Sequence, residues 1–163
     1  MTRFNQAMHL AAACAALLVL APPTLAQSRE LAAAPPAVSS KNAHRLVLQV
    51  NSNEPATMTL ALNNATNVDQ YYKERGEKIE IEIVTFGPGL HMLRDDTSPV
   101  KDRIKAIADK SPAISFKACG NTQENMGKAE NKAIPLVAQA TLVKSGVVRL
   151  MELQEQGWTY VRP

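Results

Sequence analysis

The 163-residue chain has two cysteines, Cys14 and Cys119, and three histidines. Cys14 lies in an N-terminal segment expected to be removed, which leaves Cys119 as the lone thiol of the mature chain. It stands in the run Phe116-Lys117-Ala118-Cys119-Gly120-Asn121-Thr122, where strand-like residues give way to a helix start. A thiol in the first turn of a helix meets unpaired backbone N–H groups and the positive end of the helix dipole. Both favour the thiolate. The chemistry open to it is nucleophilic attack on a disulfide or a sulfane sulfur. Gly120 lets backbone amides approach the sulfur or its cargo, and Asn121 or Thr122 can cap the helix or donate a hydrogen bond. The competing reading is a small, inert cysteine packed in the interior. Reactivity therefore requires a sulfur held open to solvent at the helix start.

The loop Gly87-Pro88-Gly89-Leu90-His91-Met92-Leu93-Arg94-Asp95-Asp96 follows a strand and should emerge on the same rim as Cys119. His91 can act there as an acid, a base or an anion partner, and Arg94 can hold an anionic sulfur species. Alternatively Leu90 and Leu93 pack a short helical turn, His91 faces solvent, and Arg94 pairs with Asp95 or Asp96. The substrate-binding candidates beside the catalytic candidate Cys119 are thus Gly120, Asn121, Thr122, His91 and Arg94. Gly87-Pro88-Gly89 lacks the Gly-Lys-Ser/Thr ending of a phosphate-binding loop, and no G-x-G-x-x-G follows the first strand. The absence of C-x-x-C excludes a dithiol cycle within one chain. His44, His91, Cys119 and scattered carboxylates show no metal-ligand spacing, so neither metal nor cofactor is expected.

Three segments position these residues. Arg3, an apolar run over residues 10–21, and the small residues ending Thr24-Leu25-Ala26 read as a signal peptide over residues 1–26. The apolar run is shorter than the ~20 residues that span a bilayer, and Pro22-Pro23 interrupts it, so no membrane association is expected after cleavage. Residues 27–43, rich in Ala, Pro and Ser, read as a flexible lead. Residues 44–163 are long enough for one compact domain. Export implies a periplasmic or secreted location, where a lone thiol stays free, pairs between chains or carries cargo. The whole chain has a formal charge of +3, but residues 45–163 hold 15 Lys and Arg against 14 Asp and Glu, a balance of +1. With no basic stripe and few aromatics, nucleic acid is not an expected partner.

Within the domain, helix-like and strand-like patterns alternate. Residues 45–50 form a nearly continuous apolar run, a strand covered on both faces. Met58, Leu62, Ala65, Val68 and Tyr72 then recur at helical spacing after Pro55, and Gly76 ends that helix. Residues 78–86 alternate Ile79, Ile81, Ile83 with Glu80, Glu82, which predicts an edge strand or a polar face turned toward another subunit. Ser98-Pro99 reads as a cap and first position for a helix with Val100, Ile104 and Ile107 buried. A third strand spans residues 113–118, and Asn121 with Glu124 resembles a capping box for a short helix through Ala129. A short strand over 138–143, a helix opened by Ser145 and closed by Gly157, and a last strand over 158–161 complete the domain. Five strands and four helices predict an α/β fold, three-layer α/β/α with a mostly parallel five-stranded sheet and sites at the strand carboxyl ends.

Four segments together resemble the DsrE/DsrF-like family, also called YchN-like. They are L-V-L-Q-V-N, F-G-P-G-L-H-M-L-R-D, F-K-A-C-G-N-T and the ending S-G-V-V-R-L-M-E-L-Q-E-Q-G-W-T-Y-V-R-P. The resemblance covers residues 45–163. It implies homo-oligomers such as trimers or hexamers and a role in sulfur oxidation or sulfur relay, with a persulfide on a strand-end cysteine that matches Cys119. The expected partners are a sulfane-sulfur donor and an acceptor thiol, and the enzyme class would be sulfurtransferase-like. The chain departs from the best-known members, which are cytoplasmic, in carrying an export signal. A non-catalytic oligomeric ligand- or protein-binding module of the same fold is the alternative expectation.

Overall fold

The computed structural model describes residues 43–163. The expected signal peptide and nearly all of the expected lead lie outside the described residues. The elements run β1 (His44–Val50), α1 (Pro55–Glu74), β2 (Ile79–Thr85), a 3₁₀ turn (Gly87–Leu93), α2 (Lys101–Lys110), β3 (Ile114–Cys119), α3 (Gly120–Glu130), β4 (Ala140–Val143), α4 (Gly146–Glu155) and β5 (Thr159–Val161). All five strands pair in parallel, in the order β4-β3-β2-β1-β5. The α/β architecture expected from the alternating periodicities is the one observed.

The strand order dictates where the helices go. From β1 to β4 each step moves one place in the same direction, so right-handed crossovers put α1, α2 and α3 on one face. The step from β4 to β5 runs back across the sheet and puts α4 on the other. The core divides accordingly. Leu46, Leu48, Val50, Ile81, Ile83, Ile114, Phe116 and Ala118 pack with Met58, Leu62, Ile104 and the 3₁₀ residues Leu90, Met92 and Leu93. Val47, Val84, Leu150 and Leu153 form the smaller cluster under α4. Burial of each such aliphatic side chain contributes about 1.5–3 kcal/mol, so the first face carries most of the stabilisation.

β2 is the central strand, contrary to the edge position its Ile/Glu alternation predicts. Its isoleucines enter the large core, while Glu82, only 7% exposed, lies under α4. There Arg149 grips both carboxylate oxygens, Nε at 3.0 Å and Nη2 at 2.6 Å. A charge is tolerated in the middle of the sheet because a bidentate partner satisfies it.

Two helix starts also differ from expectation. α2 begins at Lys101 without a side-chain cap. Ser98 sits earlier, its hydroxyl donating to the Met92 carbonyl at 2.6 Å and accepting from the Val100 amide at 3.3 Å. α3 begins directly at Gly120 with Cys119 as its N-cap, so Asn121 lies inside the helix and the Asn121/Glu124 capping box does not form. Ser145 does cap α4, accepting from the Val148 amide at 3.5 Å.

Candidate functional site

Cys119 ends β3, opposite Val143 of β4. The chain leaving β3 passes to α3 on the large-core face, whereas the chain leaving β4 passes to α4 on the other. Neighbouring strands whose connections diverge in this way open a crevice at their carboxyl ends, where open α/β sheets place ligands. The sulfur sits at that divergence.

Two helix starts converge on it. The Thr122 hydroxyl and the amides of Gly146 from α4 and Thr122 from α3 favour the thiolate, and the Asn121 amide, which donates to the Lys144 carbonyl at 3.2 Å, adds least. Burial pushes the thiol pKa up, and these hydrogen bonds, led by the Thr122 hydroxyl, outweigh it, so the net displacement is downward. The Thr122 Oγ1 also accepts from the Gly87 amide at 3.0 Å, which ties the start of the 3₁₀ turn to the same atom.

Three glycines allow the close approaches around the site, two at the helix starts and one in the 3₁₀ turn. A Cβ on Gly146 would lie 2.9 Å from Cδ1 of Phe86, and one on Gly120 would lie 3.3 Å from the Val143 carbonyl oxygen. A Cβ on Gly89 would come within 2.2 Å of the Val50 carbonyl oxygen, so only glycine lets the 3₁₀ turn lie against the end of β1.

Cys119 is only 4% exposed, so the sulfur is not in the open as the reactive reading requires. Beside it, between the 3₁₀ turn and α3, runs a groove of about 800 Å³ whose wall includes Thr122, His91, Asn53, Asn125 and Lys132. Thr122 is the side chain that groove and sulfur share. His91 is half-buried and its Nε2 bonds the Thr97 carbonyl at 2.8 Å.

Arg94 must be withdrawn as an anion-binding residue. Its guanidinium is buried and already filled: Nε and Nη2 reach Asp96 at 2.9 and 2.8 Å, Nη2 reaches Glu130 at 2.9 Å, and Nη1 also bonds Glu130. These bonds hold the Asp96 carboxyl far below its ordinary range and the Glu130 carboxyl at about 2. The cluster fastens the 3₁₀ turn to the end of α3. Leu90 and Leu93 pack beneath that turn as the alternative reading of the loop expects.

The other candidates divide. Thr122 favours the thiolate through its hydroxyl and its amide, the Asn121 amide ties α3 to the Lys144 carbonyl, and Gly120 permits close approach of the β4–α4 segment. Gly146 was missed by sequence reasoning. Its signal was Ser145-Gly146 opening a helix after a strand, but assigning it to Cys119 required the strand order. Among the described residues no group of three His, Cys, Asp or Glu side chains is placed to hold a metal ion, and no helix is long and apolar enough to cross a membrane.

No protein-family model matches this chain, and no curated protein matches it. A solved structure of a protein of unknown function, MTH1491 from Methanobacterium thermoautotrophicum, is similar to it. That likeness covers 74% of this chain and 99% of the archaeal one, at 26% identity and a TM-score of 0.63. The archaeal structure supports the α/β architecture.

Proposed function

We propose that the protein is an exported, DsrE-like sulfur carrier with sulfurtransferase-like activity, working through a persulfide on Cys119. The observation that carries this reading is Cys119 at the N-cap of α3, tied to the β4–α4 segment by the Asn121 amide on the Lys144 carbonyl at the point where the sheet connections diverge, with the Thr122 hydroxyl and Gly146 amide favouring its thiolate. Hydrogen bonds that favour the thiolate also favour a persulfide anion in the same place. In the loading step the Cys119 thiolate attacks the outer sulfur of a persulfide or polysulfide donor. The donor S–S bond breaks, its electron pair leaves with the donor thiolate, and the proton of the transferred sulfur passes to that leaving group. Cys119 then holds the sulfur as an anion until an acceptor thiol takes it.

The test is mass spectrometry of the folded protein after incubation with polysulfide. The expected result is one added sulfur on the peptide containing Cys119, removed by reductant and lacking in Cys119→Ser. An unmodified Cys119 under conditions that load a small reference thiol would overturn the reading.

A second reading rests on the 4% exposure of Cys119 and on the half-exposed Val147, Val148 and Met151 of α4. In it the domain is a non-catalytic module that assembles into homo-oligomers and binds a ligand or protein, and Cys119 serves packing. Full function of Cys119→Ser in the native organism would favour this second reading.

A further inference from the structure

Resting on the carrier reading, we propose that the groove between the 3₁₀ turn and α3 admits the acceptor thiol and that His91 takes its proton through Nδ1. The groove's volume of about 800 Å³ suits a small or peptide-borne thiol, within the ~300–1,000 Å³ of ordinary ligand sites. Cys119 does not itself line the groove; Thr122, in the first turn of the helix that Cys119 caps, does, and its hydroxyl favours the Cys119 thiolate.

The ring of His91 is oriented by a partner that can only accept. Nε2 lies 2.8 Å from the Thr97 carbonyl oxygen, so Nε2 carries the proton and Nδ1 of the neutral ring is left as an acceptor. The other charged groups around the groove are engaged with one another. Arg94 holds Asp96 and Glu130, and Lys132 lies 3.1 Å from Asp96 and 3.3 Å from Glu130. Those two carboxylates are poor proton acceptors while so held, and His91 is the base that remains in the groove wall.

The acceptor thiol gives its proton to Nδ1, and its sulfur attacks the outer sulfur of the Cys119 persulfide. The Sγ–S bond breaks, the electron pair stays on Cys119 as thiolate, and the imidazolium returns the proton to the transferred sulfur. A free thiol of pKa ~8.5 is only ~3% ionised at pH 7, so base assistance can accelerate discharge at most ~30-fold.

The experiment loads the wild type, His91→Ala and His91→Gln with polysulfide, removes the excess, and follows discharge to glutathione in single turnover. All three should load alike. At pH 7 discharge should be about ten- to thirtyfold slower in both variants. The deficit should close by about pH 9.5, where glutathione arrives as thiolate, and added imidazole should accelerate the alanine variant at pH 7. Normal loading with wild-type discharge in His91→Ala overturns the role of His91 alone, as does a deficit that neither pH nor imidazole relieves. A wild type that does not load overturns the carrier reading and this inference with it.

Discussion

Replacing Thr122 with Val keeps the branched shape at the start of α3 and removes one hydroxyl. Two bonds go with it: the donation to the Cys119 sulfur and the acceptance from the Gly87 amide. A hydrogen bond to a charged group is worth ~1.5–3 kcal/mol, and this one acts on the thiolate rather than the thiol, so the thiolate fraction at neutral pH should fall about ten- to a hundredfold. The amides of Gly146 and Thr122 still favour the thiolate, which places the expected loss near the lower end, about tenfold. The assay is the rate of alkylation by iodoacetamide at pH 7 divided by the rate on the alkaline plateau. The plateau reports how often the covered sulfur opens, and the ratio reports ionisation. Thr122→Ser keeps the hydroxyl and should stay within about twofold of wild type. An unchanged ratio in Thr122→Val, with the circular dichroism of the native fold, would refute the claim that this hydroxyl holds the anion.

Gly89→Ala should cost about 3 kcal/mol or more in chemical denaturation, because its Cβ would lie 2.2 Å from backbone at Val50; a loss under about 1 kcal/mol would mean the turn does not sit against β1. Glu82→Ala leaves Arg149 facing a mostly buried gap and should cost about 2–3 kcal/mol, whereas Glu82→Leu with Arg149→Met should cost less, and equal losses in the two would contradict the pairing. Asp96 and Glu130 are depressed carboxyls, so the stability they contribute is present above the ordinary carboxyl range and is lost as pH falls through that range toward about 2. Glu130→Gln should therefore flatten the acid limb of the stability–pH curve between about pH 4.5 and 2, and a limb as steep as wild type would place the acid sensitivity elsewhere.

The strands and helices were legible because each carries its period locally. Residues 45–50 are a short apolar run, residues 113–118 alternate Ile114, Phe116 and Ala118 with Ser115 and Lys117, and Met58, Leu62 and Ala65 repeat at helical spacing with no partner needed to read them. What the sequence concealed were relations between distant segments. The Ile/Glu alternation of β2 reads as an edge, yet the strand is central because Arg149, 67 residues away, neutralises Glu82. Arg94 reads as an available cation, and Glu130, 36 residues on, fills it. Both errors have one physical origin: a charged side chain announces its need for a partner, but not which partner meets it.

The site was half legible for a related reason. Cys119 and Thr122 lie three residues apart at a strand–helix junction, so their meeting follows from local geometry. Gly146 reaches the same sulfur only because β4 pairs with β3, and that pairing is written in no single segment. Burial was misjudged as well. A cysteine at a helix start reads as exposed, but the β4–α4 segment closes over it, which Gly120 and Gly146 permit by having no side chain.

The ionisation of Cys119 itself is the most direct test of the claim that two helix starts and one hydroxyl outweigh its burial. Ultraviolet absorbance of the thiolate can be followed against pH in the folded protein and again in denaturant. The folded midpoint should lie below the unfolded one, with the protein gaining stability as pH rises from the first to the second and holding it above. A folded midpoint equal to or higher than the unfolded one would contradict it.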